Sequence, residues 1–495
     1  MRGKHVVIIG GGLAGLSAGC YARASGYRTT ILEHNLALGG VCTAWPRGPY
    51  VIDGCIHWLT GGAFTPIYEE LGIVPAVSLA TIERWTTYRD AHDETEIAVT
   101  RDLAAFARAL CALAPEDADE IGRIVEGAET FAGMTPPVDT PTELASMRDQ
   151  VRSIWEMRDA LGAFVHFRKP VGIWAREHLK SERLRRFFAS IFPGEAPALM
   201  LLFFLGYLQR GWLSRPMGGS ARFRDALIET YERLGGEARL HTTVDEILVH
   251  DDRARGVRLE DGTMIGADAV ISTSSMPETV LRLLGGRYGA DAVRERMAGW
   301  KMFQPIVLAS FGVDVPLTGL PTALLVDRIA PFEVGGFTNE RLQLRICNDD
   351  TSLAPHGHAV VQTMLATSYA WWATRGSTYQ AAKDAVAEVA LAQIESVIPG
   401  VRGHVQMTDV ATPLTFWSMA RAWRGAYEGW MPSGESLFGH IPKTLPKLED
   451  FFMAGQWVEP GGGVPTAVLS GRQAVQILCA KDGRGFVSSP ARTLS

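Results

Sequence analysis

At 495 residues, with 47% hydrophobic and 21% charged side chains, the chain has ordinary globular composition and the length for two domains, interleaved if one is interrupted. A net charge of −6 gives nucleic acid nothing to hold, so no nucleic-acid partner is expected. The six cysteines contain no C-x-x-C pair and read as reduced thiols of a cytoplasmic protein, with no zinc site and no other metal expected.

The first element is a short apolar run, Val6-Val7-Ile8-Ile9, bounded by glycine as a parallel strand buried on both faces would be. Gly10-Gly11-Gly12-Leu13-Ala14-Gly15 fits G-x-G-x-x-G. Leu13 to Ala24 reads as a helix ended by Gly26, and Arg28 to Leu32 as a second strand closed by Glu33. In this pattern Gly10 allows a tight turn, Gly12 lets backbone approach a pyrophosphate, and Gly15 lets helix and strand pack closely. The helix start offers free N–H groups and a partial positive charge to phosphates. Glu33, about twenty residues on, stands where a carboxylate accepts from ribose hydroxyls. The fingerprint glycines interrupt what would otherwise look like a signal-peptide core, so no targeting role is expected there.

A second glycine pair follows in Leu38-Gly39-Gly40-Val41, then Cys42, and then the stretch Tyr50 to Trp58 with His57 on a strand. Trp85 to Val99 alternates like a hairpin, and Asp102 to Met134 carries helical periodicity broken at Pro115. Prolines mark residues 135–141 as a loop, and helical patterns run on to about Leu213. Within them Lys180, Arg183, Arg185 and Arg186 precede Phe187, Phe188, Ile191 and Phe192. A basic segment entering aromatics suits a peripheral membrane contact, and it also suits a solvated helix face over a core. The apolar run from Ala198 to Leu205 falls short of the roughly eighteen residues of a membrane span.

Phe223 to Leu234 reads as an amphipathic helix, followed by a strand at His241 to Ile247, a hairpin around Asp261-Gly262 and a strand from Ala267 to Ser272. Met302 to Val313 and His358 to Ala366 read as strands of a second domain, and Thr378 to Ile398 as a long helix. Thr408-Asp409 precedes an aromatic stretch holding Phe416, Trp417, Trp423, Tyr427 and Trp430. The last motif runs from Phe451 to Arg472: a strand, a glycine-rich turn from Gly455-Gln456 to Gly463, and a helix starting near Val464-Pro465. Proline suits a first helical turn, where its missing N–H costs nothing.

Val6 to Gly40, with the pair Gly39-Gly40 before Val41, resembles the two-dinucleotide-binding-domain flavoproteins, a group that includes amine oxidases and phytoene desaturases. Ala454 to Arg472 resembles the C-terminal signature of phytoene desaturase-like FAD oxidoreductases, which include carotenoid isomerases and retinol saturases; Asp350 to Gly357 and Thr412-Pro413 match that group's patterns too. Asp53 with Ile56-His57-Trp58 is similar to the saturase branch, with Cys55 where that branch has glycine. Cys42 is placed as in the disulfide reductases, which pair it with a cysteine a few residues on; Arg47 stands there, so no redox disulfide is expected.

The resemblance implies FAD as cofactor and an α/β fold with an α+β substrate domain. A discontinuous Rossmann-type FAD-binding domain would comprise residues 1–80, 215–290 and 445–495, and a mixed-sheet and helical substrate-binding domain 81–214 and 291–444. To the contacts expected of Gly10, Gly12, Gly15 and Glu33 it adds Leu13, Ala14, Gly39, Gly40, Val41, Gly455, Gln456, Gly463 and Val464, with the backbone near Val244 approaching the adenine. It implies hydride transfer between flavin N5 and carbon of a long apolar substrate, a polyene, isoprenoid or lipid, by a desaturase or a saturase. Ala198 to Leu208 and Phe416 to Trp430 are the expected lining, with Phe204, Trp417, Trp423 and Tyr427 foremost. His57, Asp409 and Glu459 are the acid–base candidates, although a lone strand histidine is also an ordinary core residue and Glu459 also suits a loop-stabilising role. Arg472 suits the ordering of its helix or a phosphate contact. Amine oxidation between Trp423 and Tyr427, redox-neutral cis–trans isomerisation, and a non-enzymatic flavin- or lipid-binding role stay open, as does the choice among oxygen, a quinone and NAD(P)H as electron partner.

Overall fold

In a computed structural model that describes residues 3–134, 138–149, 155, 158–437 and 439–494, the N-terminal apolar run forms the strand His5–Ile9. Residues 135–137 of the expected proline loop lie outside the described residues. Val6 and Ile8 enter one apolar cluster while Val7 and Ile9 enter another, which is the two-faced burial that a continuous apolar strand requires. Its sheet runs Glu237–Arg239, Arg28–Leu32, His5–Ile9, Ala269–Ser272, Phe451–Met453, with every neighbouring pair parallel. The helices Leu13–Ala24, Gly219–Arg233 and Gly463–Lys481 cover one face, supplying Leu16, Phe223, Leu227, Val468 and Val475. On the other face lies an antiparallel meander of Val244–His250, Arg253–Leu259 and Met264–Gly266.

The first and last of these helices meet backbone to backbone. A Cβ on Gly471 would fall 2.4 Å from the Ala14 carbonyl oxygen and 2.9 Å from the Ala18 nitrogen. Ser17 Oγ donates to the Val468 carbonyl at 2.7 Å across the same contact. The Gly219–Arg233 helix begins earlier than its amphipathic pattern suggests, because the buried Asp53 carboxylate accepts the Ser220 N–H at 3.2 Å and so holds the first turn.

The second unit is built on a seven-stranded sheet in the order Val405–Ala411, Ile306–Val313, Ala359–Ala366, Phe337–Cys347, Ala323–Val334, Arg84–Asp90, Glu96–Thr100. Its pairs are antiparallel except Ala323–Val334 with Arg84–Asp90. The helix Tyr379–Val397 backs it through Val386, Ala390 and Ile394. A helical block packs beside it: Leu103–Leu113, Ala118–Ala132, Leu161–Phe167, Val171–His178, Glu182–Ile191 and Ala198–Gln209. The strand Leu213–Pro216 pairs with both Leu59–Thr60 and Leu79–Thr81, and its Leu213 enters the core of the helical block while Leu59 enters that of the parallel sheet. The units also interlock from the other side, where the helix Ala290–Gly299, Trp430 and Ile441 share the cluster of Val7 and Ile9.

The basic–aromatic segment is a helix packed on a core. Leu184, Phe187 and Phe188 of Glu182–Ile191 are fully buried, while Arg183 and Arg186 reach the carboxylates of Asp93 and Asp90 at 3.5 and 3.6 Å. Among the described residues no helix is long and apolar enough to cross a membrane.

The tight contact at Gly471 has a measurable consequence. Gly471→Ala should force the two helices apart and lower the urea midpoint by an amount equivalent to about 1–3 kcal/mol, the usual range for overpacking. An unchanged midpoint would show that the contact is looser than described.

Candidate active site

Each strand of the parallel sheet, apart from its edge strand Glu237–Arg239, ends at one cavity of about 840 Å³, whose walls include Ile9-Gly10, Leu32-Glu33, Thr273 and Gly455. Ligands of open α/β sheets bind at the carboxyl ends of the strands, where connections diverge to either side. The first two glycine turns lie against each other there. Gly39 N–H donates to the Gly11 carbonyl at 2.8 Å, and a Cβ on Gly40 would stand 3.2 Å from the Gly12 Cα, so neither side chain has room. Gly15 sits beneath, where a Cβ would collide with the Gly10 carbonyl oxygen at 2.0 Å; it sets the helix-to-strand approach and does not line the cavity.

Two helices start at this wall. Leu13–Ala24 follows Gly12 and Gly463–Lys481 follows Gly462, and neither has a side chain capping its first turn. Their free N–H groups and dipole ends therefore face the cavity, an arrangement suited to anions. Leu13, Ala14, Gly39, Gly40, Val41, Gly455, Gln456, Gly463 and Val464 all line it.

Glu33 closes one end of this cradle, nearly fully buried. Its Oε2 accepts the Gly11 N–H at 2.7 Å and its Oε1 the Asn35 N–H at 2.9 Å. Burial pushes this carboxyl up, but hydrogen bonds from His34 and from the backbone of Asn35 and Gly11 outweigh it and hold it below its ordinary value. A charged acceptor is thus fixed beside Thr242, Thr243 and Val244. The buried Ser275 hydroxyl in the same wall has no hydrogen-bond partner among the described residues. An adenosine diphosphate with a ring system attached fits these groups: acceptor for ribose, free N–H for phosphate, and an unpaired hydroxyl nearby.

The opposite end is apolar. Trp58, Trp85, Phe192 and Phe204 form an aromatic wall there, with ring centroids 5.0 to 6.4 Å apart. Met200 and Phe204 are the residues of Ala198–Gln209 that reach the cavity; Leu199, Leu201, Leu202 and Leu205 fill the helical core. His57 also lines this end. Burial, and then the nearby Arg345 charge, push its imidazole down to about 3, so it is neutral at physiological pH. Behind it Asp53 is fully buried and ionised: burial raises its carboxyl, but the Arg345 charge first, then the hydroxyl and N–H of Ser220, hold it below its ordinary value.

Cys42 lies buried in the cavity wall, with Cys55 as its thiol neighbour. Their mutual hydrogen bond, followed by burial, pushes the Cys42 thiol well up, which leaves it protonated and unreactive.

Asp409 and Glu459, named as acid–base candidates from the sequence, are not among the cavity walls. Asp409 accepts from Arg47 Nε at 2.7 Å and Trp45 Nε1 at 3.2 Å, which ties the Ala44–Arg47 strand to the seven-stranded sheet. Glu459 neutralises the buried Lys443 ammonium at 2.6 Å. Trp417 and Trp423 pack edge-on against each other at 6.2 Å, with the Arg421 guanidinium over Trp417, and they too stand off the cavity. Tyr427 does line it, between Phe303 and Phe416. Arg472 is held by Glu70 at 2.8 Å and by the Asp139 carbonyl at 3.0 Å, so it orders its helix.

The acidic group that the structure brings forward is Glu428, which the aromatic stretch concealed. It lines the cavity, no hydrogen bond or ion pair reaches its carboxyl from the described residues, and burial pushes it up to about 7. Its backbone is pressed on the glycine-rich turn, since a Cβ on Gly462 would stand 2.3 Å from the Glu428 carbonyl oxygen. Gln456 Nε2 donates to the Tyr427 carbonyl alongside. Its being the single acidic residue between Phe416 and Trp430 was its only signal in the sequence.

Comparison with known proteins agrees with this geometry. The family model described as flavin containing amine oxidoreductase matches residues 13–479. The chain is 24% identical to a phytoene desaturase (neurosporene-forming) of Rhodobacter capsulatus, over 96% of this chain and 94% of that one. It is also 24% identical to prolycopene isomerase 2 of an Oncidium hybrid cultivar, over 96% and 82% respectively. Among solved structures, cyclohexylamine oxidase from Brevibacterium oxydans superposes with a TM-score of 0.60 at 17% identity, covering 97% of this chain and all of that one. An oxidoreductase from Methanosarcina mazei does so at 0.61 and 18%, covering 95% of this chain and all of that one. The chain therefore belongs to the flavin containing amine oxidoreductase family and is an FAD-dependent oxidoreductase.

Proposed function

We propose that the chain is a desaturase or saturase that exchanges hydride between its flavin and carbon of a long apolar substrate of the polyene or isoprenoid class. One observation carries this reading: a single cavity runs from the glycine cradle to an aromatic wall and holds the unpaired carboxyl of Glu428. Relatives named for phytoene, diapophytoene and ζ-carotene support the substrate class.

Bound FAD supplies the hydride acceptor or donor. The chain's own residues supply the remainder. Trp58, Trp85, Phe192 and Phe204 hold an apolar chain by area, at roughly 25 cal/mol per Å² removed from water, and exclude solvent. Glu428 takes the proton that leaves with desaturation, or returns it in saturation; a carboxyl balanced near neutrality does either at small cost. His57, neutral at working pH, adds a polar edge to the apolar wall without placing a cation there. Redox-neutral isomerisation is the second reading, favoured by the prolycopene isomerase relative and served by the same proton handling.

Anaerobic mixing with a polyene should bleach the flavin's visible band and yield product with one more double bond, or, starting from reduced enzyme, one fewer. Geometric isomers with no net redox change would select the second reading, and bleaching by small amines alone would sink both. In the desaturating direction Glu428 must be deprotonated, so kcat/KM should rise as pH climbs through about 7. Glu428→Gln should lose that rise and about 10²–10⁴-fold of rate with FAD still bound; a retained pH step would remove Glu428 from the chemistry. Glu33→Ala should weaken FAD by about 1–3 kcal/mol, read by flavin fluorescence titration, because it strips an acceptor from buried N–H and hydroxyl groups. Equal FAD affinity in that variant would end the ribose assignment.

A further inference from the structure

The helical block carries a cluster that the flavin chemistry does not use. Glu120 on Ala118–Ala132, His166 on Leu161–Phe167 and His178 at the end of Val171–His178 come from three different helices. One ligand-type atom from each lies within 4.8 Å of the other two. Glu120 is nearly fully buried, and its Oε1 stands 2.5 Å from His166 Nε2. The two imidazoles are packed at 4.3 Å between centroids, inclined by 53°, with Phe167 on His166 and Trp174 stacked on His178.

A simple ion pair accounts for half of this. One protonated imidazole would satisfy the Glu120 charge and leave the second ring crowded against it without an anion of its own. Among the described residues the carboxylate within 4.0 Å of His178 is that of Glu177, at 3.9 Å, and that group is engaged by Lys169 at 2.6 Å. Two neutral imidazole nitrogens and one carboxylate oxygen are instead the donor set of a borderline divalent ion. The other Glu120 oxygen is held by Arg123 at 3.0 Å, which orients the Oε1 that faces His166 as an outer partner of a ligand does. His166 and His178 remain 23% and 31% exposed on their side chains, so the cluster has an entry path and room for a water.

We propose that Glu120, His166 and His178 form a divalent-metal site of the zinc class, completed by water. The ion would tie three helices together behind the cavity wall, because Ala118–Ala132 packs on Ala198–Gln209, whose Met200 and Phe204 line the cavity. Its role is structural and independent of the flavin chemistry.

The test is titration of the chelator-washed, FAD-loaded full chain with Zn²⁺ alone, followed by calorimetry and thermal melting. One ion per chain should bind and raise the melting temperature. Affinity should fall at least about tenfold in each of His166→Asn, His178→Asn and Glu120→Gln. His250→Ala, at a fully solvated histidine, should bind as the parent does. No saturable site, or equal affinity in His166→Asn and His178→Asn, overturns the proposal. Should Glu120→Gln fail to fold, the two histidine variants decide it.

Discussion

The contact on which the site depends is between backbones. Gly471 lets the Gly463–Lys481 helix rest on Leu13–Ala24 at a distance that any side chain would prevent, with Ser17 donating across it. That contact sets two helix N-termini, more than four hundred residues apart in sequence, at one wall. Gly39 and Gly40 bring the second turn against the first in the same way. The first-turn N–H groups of each helix lack an intrahelical partner, so the convergence of the two N-termini concentrates partial positive charge at one cavity wall, an arrangement suited to a diphosphate.

Around this cradle the cavity keeps its ionisable groups in different states by different means. Asp53 stays charged because Arg345 and Ser220 compensate its burial, and Glu33 because His34 and the backbone N–H groups of Asn35 and Gly11 do. Glu428 has no such partner among the described residues, and burial pushes it up to about 7. His57 is driven the other way, into its neutral form. One enclosure thus holds a fixed anion at its polar end and a carboxyl balanced near neutrality beside the glycine-rich turn. A neutral imidazole stands at its apolar end. That is a usable division of labour for chemistry on an apolar carbon.

Local physics made the strand–turn–helix of Val6 to Glu33 legible, because a continuous apolar run, glycines at fixed spacing and a closing acid each have a single cheap conformation. The same holds for the Leu13–Ala24 helix, whose limits match, and for the terminal strand and helix. The long hairpin of Ala323–Val334 and Phe337–Cys347 was not legible: charged residues and Pro331 blur its alternation, and the sheet around it supplies the order. Cysteine spacing likewise spoke only to thiolate metal sites; it had no bearing on a glutamate and two histidines gathered from three helices.

The sequence by itself determined the cofactor class and the glycine-rich segments that meet at one cavity wall, since backbone approach to a dinucleotide demands glycine at particular steps along one chain. Which acid faces the cavity was decided only by tertiary structure. Asp409 and Glu459 carry the same functional group as Glu428, but Arg47 and Lys443 neutralise them outside the cavity. Protonation and access depend on what surrounds a carboxyl in space, and neither is written in its neighbours along the chain.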